Sequence, residues 1–173
     1  MAPIPTQRPE RRLHLFCGKI ASGKSTLARQ IVAQAPGILI AEDHWLSTLY
    51  PGQIRALDDY VAAVGRWRSA IESHLIDLLR AGLPVVLDMA ANTRATRAWA
   101  LRVAAAAGAP HTLHWLDIDD ATCRQRLRLR NQSGEHPYSV DDAMFERFTA
   151  RFEPPSNDEG LTTVVVSTPC ERR

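Results

Sequence analysis

The sequence predicts an α/β fold, a three-layer αβα sandwich in which a parallel sheet carries helices on both faces. Two observations carry that prediction. Five short apolar runs alternate with segments of helical periodicity, and such alternation calls for crossover connections between parallel strands. The first run also empties into a glycine-rich loop that opens a helix, which points to a ligand at the carboxyl ends of the strands. At 173 residues and 45% hydrophobic content the chain can bury a real core, and one domain is expected.

Residues 1–11 belong to the polar, proline-rich opening "MAPIPTQRPERR", which lacks the apolar centre of a signal peptide and reads as a flexible arm before a domain at 12–173. "LHLFC", residues 13–17, is the first buried strand. A helix is expected from Ser25 or Thr26, with Leu27, Ile31 and Val32 on one face, stopping before Pro36-Gly37. "ILIA", residues 38–41, is the second strand. From about Asp58 a long helix places Val61, Val64, Trp67, Ile71, Leu75 and Leu78 at three- and four-residue spacing, and it ends at Gly82 with Pro84 beyond. "VVLD", residues 85–88, is the third strand. A helix capped near Asn92 or Thr93 runs to Gly108, and "TLHWLDI", residues 112–118, is the fourth strand. Asp119 and Asp120 can cap a helix with arginine at 124, 126, 128 and 130. The polar stretch "NQSGEHPYS" interrupts, a helix follows over roughly 140–152, and "LTTVVVS", residues 161–167, is the last strand.

Composition narrows the function classes. A formal charge of +2 is far from the dense basic surface of an obligate nucleic-acid binder. No run approaches the 18 or more apolar residues of a membrane span. Cys17, Cys123 and Cys170 are odd in number and form no C-x-x-C, so a reducing cytoplasm suits them. His44 and His136 are isolated from metal-ligand partners.

Lysine is the most informative residue type. The chain holds two, Lys19 and Lys24, against 19 arginines. Arginine is a planar fork, whereas lysine is a point charge on a slim stem that suits a narrow loop around phosphate. Residues 18–25, Gly18-Lys19-Ile20-Ala21-Ser22-Gly23-Lys24-Ser25, fit G-x-x-x-x-G-K-[ST] at every position, with Thr26 next. The motif explains Lys24 but leaves Lys19 at a free position. Gly18 and Gly23 allow the backbone to turn successive N–H groups onto phosphate oxygens, and the helix that follows adds its positive end. Lys24 then neutralises phosphate charge, and the Ser25 hydroxyl can ligate Mg2+. Asp88 ends an apolar strand, where a carboxylate can hold that ion through water beside Ser25 or can simply cap the next turn.

This phosphate loop, Asp43 just beyond the second strand, "VVLDMAANTRATR" at the third, the arginine helix before a polar break, and "RFEPPSNDE" near the end occur in a telling order. From Leu13 to Ser167 the chain resembles the small P-loop kinases grouped with polynucleotide kinase, zeta toxins and chloramphenicol phosphotransferase, AAA-type ATP-binding kinase domains. The resemblance implies a five-stranded sheet of order 2-3-1-4-5, nucleoside-kinase-like, with a short lid over about 126–139. It also implies transfer of the γ-phosphoryl group of ATP to a hydroxyl of a small molecule. Asp43 would match the carboxylate that accepts the hydroxyl proton, with Glu42 as its rival. Arg126 and Arg130, four residues apart on one side of their helix, would match the lid arginines that stabilise the transferring group. Arg94 and Arg97 match arginines that relatives use on the acceptor, against a plain solvated helix. Trp45, on an expected loop, is a candidate pocket wall with Tyr50, whereas Trp67 reads as core. Thr168-Pro169 resembles the loop that packs on adenine.

Two further enzyme readings are a polynucleotide 5′-kinase, weakened by the low net charge and the acidic pairs Asp119-Asp120 and Asp141-Asp142, and a zeta-like nucleotide-sugar kinase. A nucleotide-binding sensor without an acceptor is a fourth. A guanine-specific switch would need N-K-x-D, which two lysines at 19 and 24 do not permit.

Overall fold

The computed structural model describes residues 10–133 and 140–167. Its elements are β1 (Leu13–Cys17), α1 (Lys24–Gln34), β2 (Ile38–Ala41), α2 (Glu42–Leu49), α3 (Leu57–Arg80), β3 (Val85–Ala90), α4 (Arg94–Ala107), β4 (His111–Leu116), α5 (Asp120–Ser133), α6 (Asp142–Thr149) and β5 (Thr163–Val166), with a 3-10 turn at Asn157–Glu159 before β5. The five strands form one sheet of order β2-β3-β1-β4-β5, and every neighbouring pair is parallel.

Side chains alternate across the strands, so the sheet separates two cores. Leu13, Leu15 and Cys17 of β1 join α3 and α4 through Trp67, Ile71, Leu75, Leu79, Trp99 and Val103. Phe16 faces the other way and joins Leu116, Cys123, Leu127 and Phe145 of β4, α5 and α6, with α1 contributing the fully buried Ala28. Trp67 is core, 2% exposed.

Four expectations change. The segment after β2 forms a helix, α2, and not a loop, so Trp45 stands exposed on a helix face. The inward stripe of α3 includes Leu79, while Val61 is solvent-exposed. A helix of 24 residues is roughly 36 Å long, about twice the length of the strands beneath it. The helix α5 continues to Ser133, through the first part of the expected polar break. Residues 126–133 of the expected lid are therefore helical, and 134–139, with His136, lie outside the described residues, as does Thr168-Pro169. Arg97 is neither solvated nor open to an acceptor: it is 1% exposed, and its guanidinium meets Glu159 Oε2 and Oε1 at 2.7 and 2.8 Å and the Glu153 carbonyl at 2.8 Å. This pairing holds the Glu159 carboxyl below its usual range and pins the segment after α6 against α4.

Candidate active site

The loop between β1 and α1 has the backbone that its residue types imply. Gly18 has φ 152° and Gly23 φ 108°, and Ala21 takes φ 60°, in a region that a side chain rarely occupies. A Cβ on Gly18 would lie 2.7 Å from Ser22 Oγ and 2.8 Å from the Leu116 carbonyl oxygen, so glycine is required there by space as well as by angle. Gly23 stands at the N-cap of α1 with no side-chain cap, which leaves the first-turn N–H groups of Lys24, Ser25 and Thr26 open to an anion.

Lys24 lies across this loop. Its Nζ donates to the Gly18 carbonyl at 2.7 Å and to the Lys19 carbonyl at 2.8 Å. Burial pushes its ammonium below the usual value, and the carboxylates of Asp88 and Asp43 oppose that push. Lys19 points elsewhere, to an ion pair with Asp120 that ties the start of α5 to the loop. The two lysines thus have separate reasons to be there.

Ser25 Oγ donates to Asp88 Oδ1 at 2.9 Å. Burial raises the Asp88 carboxyl, the Ser25 hydrogen bond lowers it, and nearby Asp43 raises it again. A hydroxyl and a carboxylate beside a phosphate loop are hard oxygen donors of the kind that Mg2+ takes together with phosphate oxygens, so these residues fit that ion.

Glu42 and Asp43, adjacent in sequence, are placed differently. They open α2 immediately after Ala41, whose Cα partner in β3 is Asp88, so both begin at the same sheet edge as the Ser25–Asp88 pair. Glu42 is 3% exposed; Tyr60 Oη donates to its Oε1 at 2.6 Å, and Arg68 Nη2 stands 3.6 Å from its Oε2. Burial raises the Glu42 carboxyl despite those partners. Asp43 is only half-buried, and its charge acts on Lys24 and Asp88.

The arginines of α5 divide in the same way. Arg126 reaches the loop, with Nη1 donating to the Ser22 carbonyl at 3.1 Å. Arg130 is half-buried on the same side one turn further along. Arg124 pairs with Asp142 and Glu146 and lies 4.4 Å over the Phe145 ring, and Arg128 pairs with Asp142, so both hold α6.

One residue of the site was not foreseen as part of it. Asn92 Oδ1 accepts the Gly18 N–H at 2.9 Å, and Asn92 Nδ2 donates to the Gly18 carbonyl at 2.9 Å. In sequence it reads as a helix cap, but Thr93 takes that role, accepting from the Thr96 N–H.

The profile of the AAA domain family matches residues 13–155. The chain belongs to the AAA domain family. Among curated proteins, this AAA domain is 32% identical over 88 residues to the KTI12 homologue of Arabidopsis thaliana, a match covering 51% of the chain and 28% of that protein. The matched stretch is therefore less than a third of that relative's length. Among solved structures, Kti12 of Chaetomium thermophilum in complex with ADP-AlF3 superposes with a TM-score of 0.68 at 18% identity, covering 90% of this chain and 88% of that one. A sugar kinase from Janibacter gives 0.61 at 16% identity, covering 91% and 85%. APS kinase of Mycobacterium tuberculosis in complex with AMPPNP and APS gives 0.59 at 18% identity, covering 91% and 89%. The fold is that of the P-loop kinases, with the sheet order 2-3-1-4-5. No described helix is long and apolar enough to cross a membrane.

Proposed function

We propose that the protein is an ATP-dependent phosphotransferase that moves the γ-phosphoryl group of ATP, with Mg2+, to a hydroxyl of a small-molecule acceptor in the cytoplasm. The observation that carries this reading is the convergence of Lys24, the hydrogen-bonded Ser25–Asp88 pair and the half-buried Asp43 at one sheet edge. The loop amides of residues 18–26 bind the phosphates, and Lys24 turns from its two carbonyls to their charge. Ser25 and Asp88 would hold Mg2+, which offsets charge on the phosphate oxygens when bound. Asp43 accepts the proton of the acceptor hydroxyl, because Glu42 is sealed behind Tyr60 and Arg68. Arg126 and Arg130 stabilise charge on the transferring group, and residues 126–139 close as a lid. Amide exchange in that segment should slow when an ATP analogue and acceptor bind together; protection confined to the phosphate loop would refute the lid.

The test is a screen with γ-labelled ATP over alcohols, sugars, antibiotics and 5′-hydroxyl oligonucleotides, read as labelled product. A labelled small molecule is the expected result, and a labelled oligonucleotide would replace this reading with a polynucleotide kinase. A second reading is a switch or sensor without an acceptor: the curated relative that the chain matches is described as a KTI12 homologue and not as a kinase. Acceptor-independent ADP release with no labelled product would support it.

A further inference from the structure

Gly18 is held through both of its backbone polar groups, in the two peptide units that flank its Cα, by a single side chain. Its N–H and its carbonyl each meet the Asn92 amide at 2.9 Å, and Lys24 Nζ donates to the same carbonyl at 2.7 Å. A carbonyl oxygen has two lone pairs, and both are in use. Asn92 is itself fixed from behind: its own carbonyl accepts the Glu153 N–H at 2.9 Å, and Arg97 Nη1 holds the Glu153 and Ala91 carbonyls at 2.8 and 3.2 Å. The grip therefore belongs to a rigid frame of β3, α4 and the segment after α6.

We propose that Asn92 is a positioning residue of the nucleotide site, which keeps the Gly18 carbonyl paired when Lys24 leaves it for the phosphates of a nucleoside triphosphate. This rests on the reading of residues 18–26 as a triphosphate site and not on any acceptor. Without Asn92, a Lys24 that turned to the phosphates would leave the carbonyl of buried Gly18 unpaired, and the loss of that partner opposes binding. The Gly18 N–H would also lose its acceptor, which fixes the direction of the Cys17–Gly18 peptide. Glutamate or aspartate could not replace the amide at neutral pH, because an ionised carboxylate accepts but does not donate.

The experiment compares the natural protein with Asn92→Ala and Asn92→Asp by titration with a fluorescent, non-hydrolysable ATP analogue and Mg2+ between pH 7.5 and 5. Each affinity is read as a ratio to the natural protein at the same pH, which cancels titration of the nucleotide. The charged groups around position 92 are Lys24 from α1, Arg94 and Arg97 from α4, and Glu153 from the closing segment. Asn92→Ala should bind about ten- to a hundredfold more weakly at every pH, the size expected for one unpaired carbonyl. Asn92→Asp should be at least as weak at pH 7.5 but recover toward the natural protein as the pH falls, since a protonated carboxyl restores one donor and one acceptor. Natural affinity in Asn92→Ala, or an Asn92→Asp ratio that does not change with pH, overturns the proposal. Should Asn92→Ala fail to fold, the pH dependence of Asn92→Asp decides alone. A natural protein that binds the analogue but labels no acceptor overturns the phosphotransferase reading and leaves this one standing.

Discussion

At the donor end, nine consecutive residues, 18–26, supply the amides, the ammonium and one hydroxyl, and side chains from elsewhere bond to them: Asn92 to Gly18, Asp88 to Ser25, Arg126 to Ser22. On the side proposed for the acceptor no run of sequence does comparable work. There α2 is held through Glu42 by Tyr60 and Arg68, Arg68 lies 5.5 Å over the Trp99 ring and bonds Thr96, and α6 is held to α5 through Arg124. The donor end is coded in backbone because its ligand, a phosphate chain, needs N–H groups at close range. The side proposed for the acceptor is built from side chains and long-range pairing, so it can change its shape without disturbing the loop.

The sharpest way to break this comparison is at the junction of the two sides. Asp43→Asn keeps the shape of the side chain but cannot take a proton, and it should lower phosphoryl transfer by roughly a hundred- to ten-thousandfold while the affinity for ATP changes little. Glu42→Gln, run beside it, should act on folding stability, since its partners are Tyr60 and Arg68. Normal transfer by Asp43→Asn with a dead Glu42→Gln would make Glu42 the base.

Next in size is the donor end itself. Lys24→Ala removes one preorganised electrostatic partner and should reduce turnover by roughly a hundred- to a thousandfold, measured as ADP release by folded protein. Unchanged turnover would remove the catalytic site from this loop.

A smaller effect concerns the frame that joins the two sides. Glu159→Ala leaves the buried Arg97 guanidinium without its carboxylate and should cost about 3–5 kcal/mol in urea unfolding. A loss below about 1 kcal/mol would mean that the pair is a surface contact in solution.

The smallest effect is expected at a histidine pair in the middle of the sheet. His14 Nδ1 and His114 Nε2 stand 3.0 Å apart on neighbouring strands, with rings stacked at 5.4 Å. Burial lowers both imidazoles, helped by Arg12 at His14, while His14 beside His114 helps bring the latter to about 4. The unfolded chain therefore binds protons at these rings that the folded chain refuses, and stability should fall by about 1–2 kcal/mol as the pH drops from about 6.5 to 4. The slope in that window should flatten in His114→Gln, and an unchanged slope would assign the acid sensitivity to other groups.

Much of this architecture was legible before any coordinates. Alternating apolar runs placed all five strands within a few residues, and "GKIASGKS" marked the glycine-rich loop between β1 and α1, because strand burial and a glycine-rich loop are both properties of short stretches of chain. The sheet order came from the resemblance and not from the periodicity. The helix α2 was missed: eight residues directly after a strand, with no side-chain cap, carry little local signal of a helix start.

What the sequence by itself determined is the set of residues available to the site: Lys24, Ser25, two adjacent carboxylates at 42 and 43, Asp88 at a strand end, and paired arginines on α5. What only the tertiary structure decided is how these residues divide their roles. Glu42 is buried and Asp43 is not because Tyr60, 18 residues away, reaches back to one of them. Arg97 is structural because Glu159, 62 residues away, folds over it, and Asn92 joins the site because Gly18, 74 residues away, turns its peptide toward it. Periodicity and motif spacing act over a turn of helix or a few residues of strand, whereas burial and pairing of a charged side chain depend on whatever the sheet brings against it.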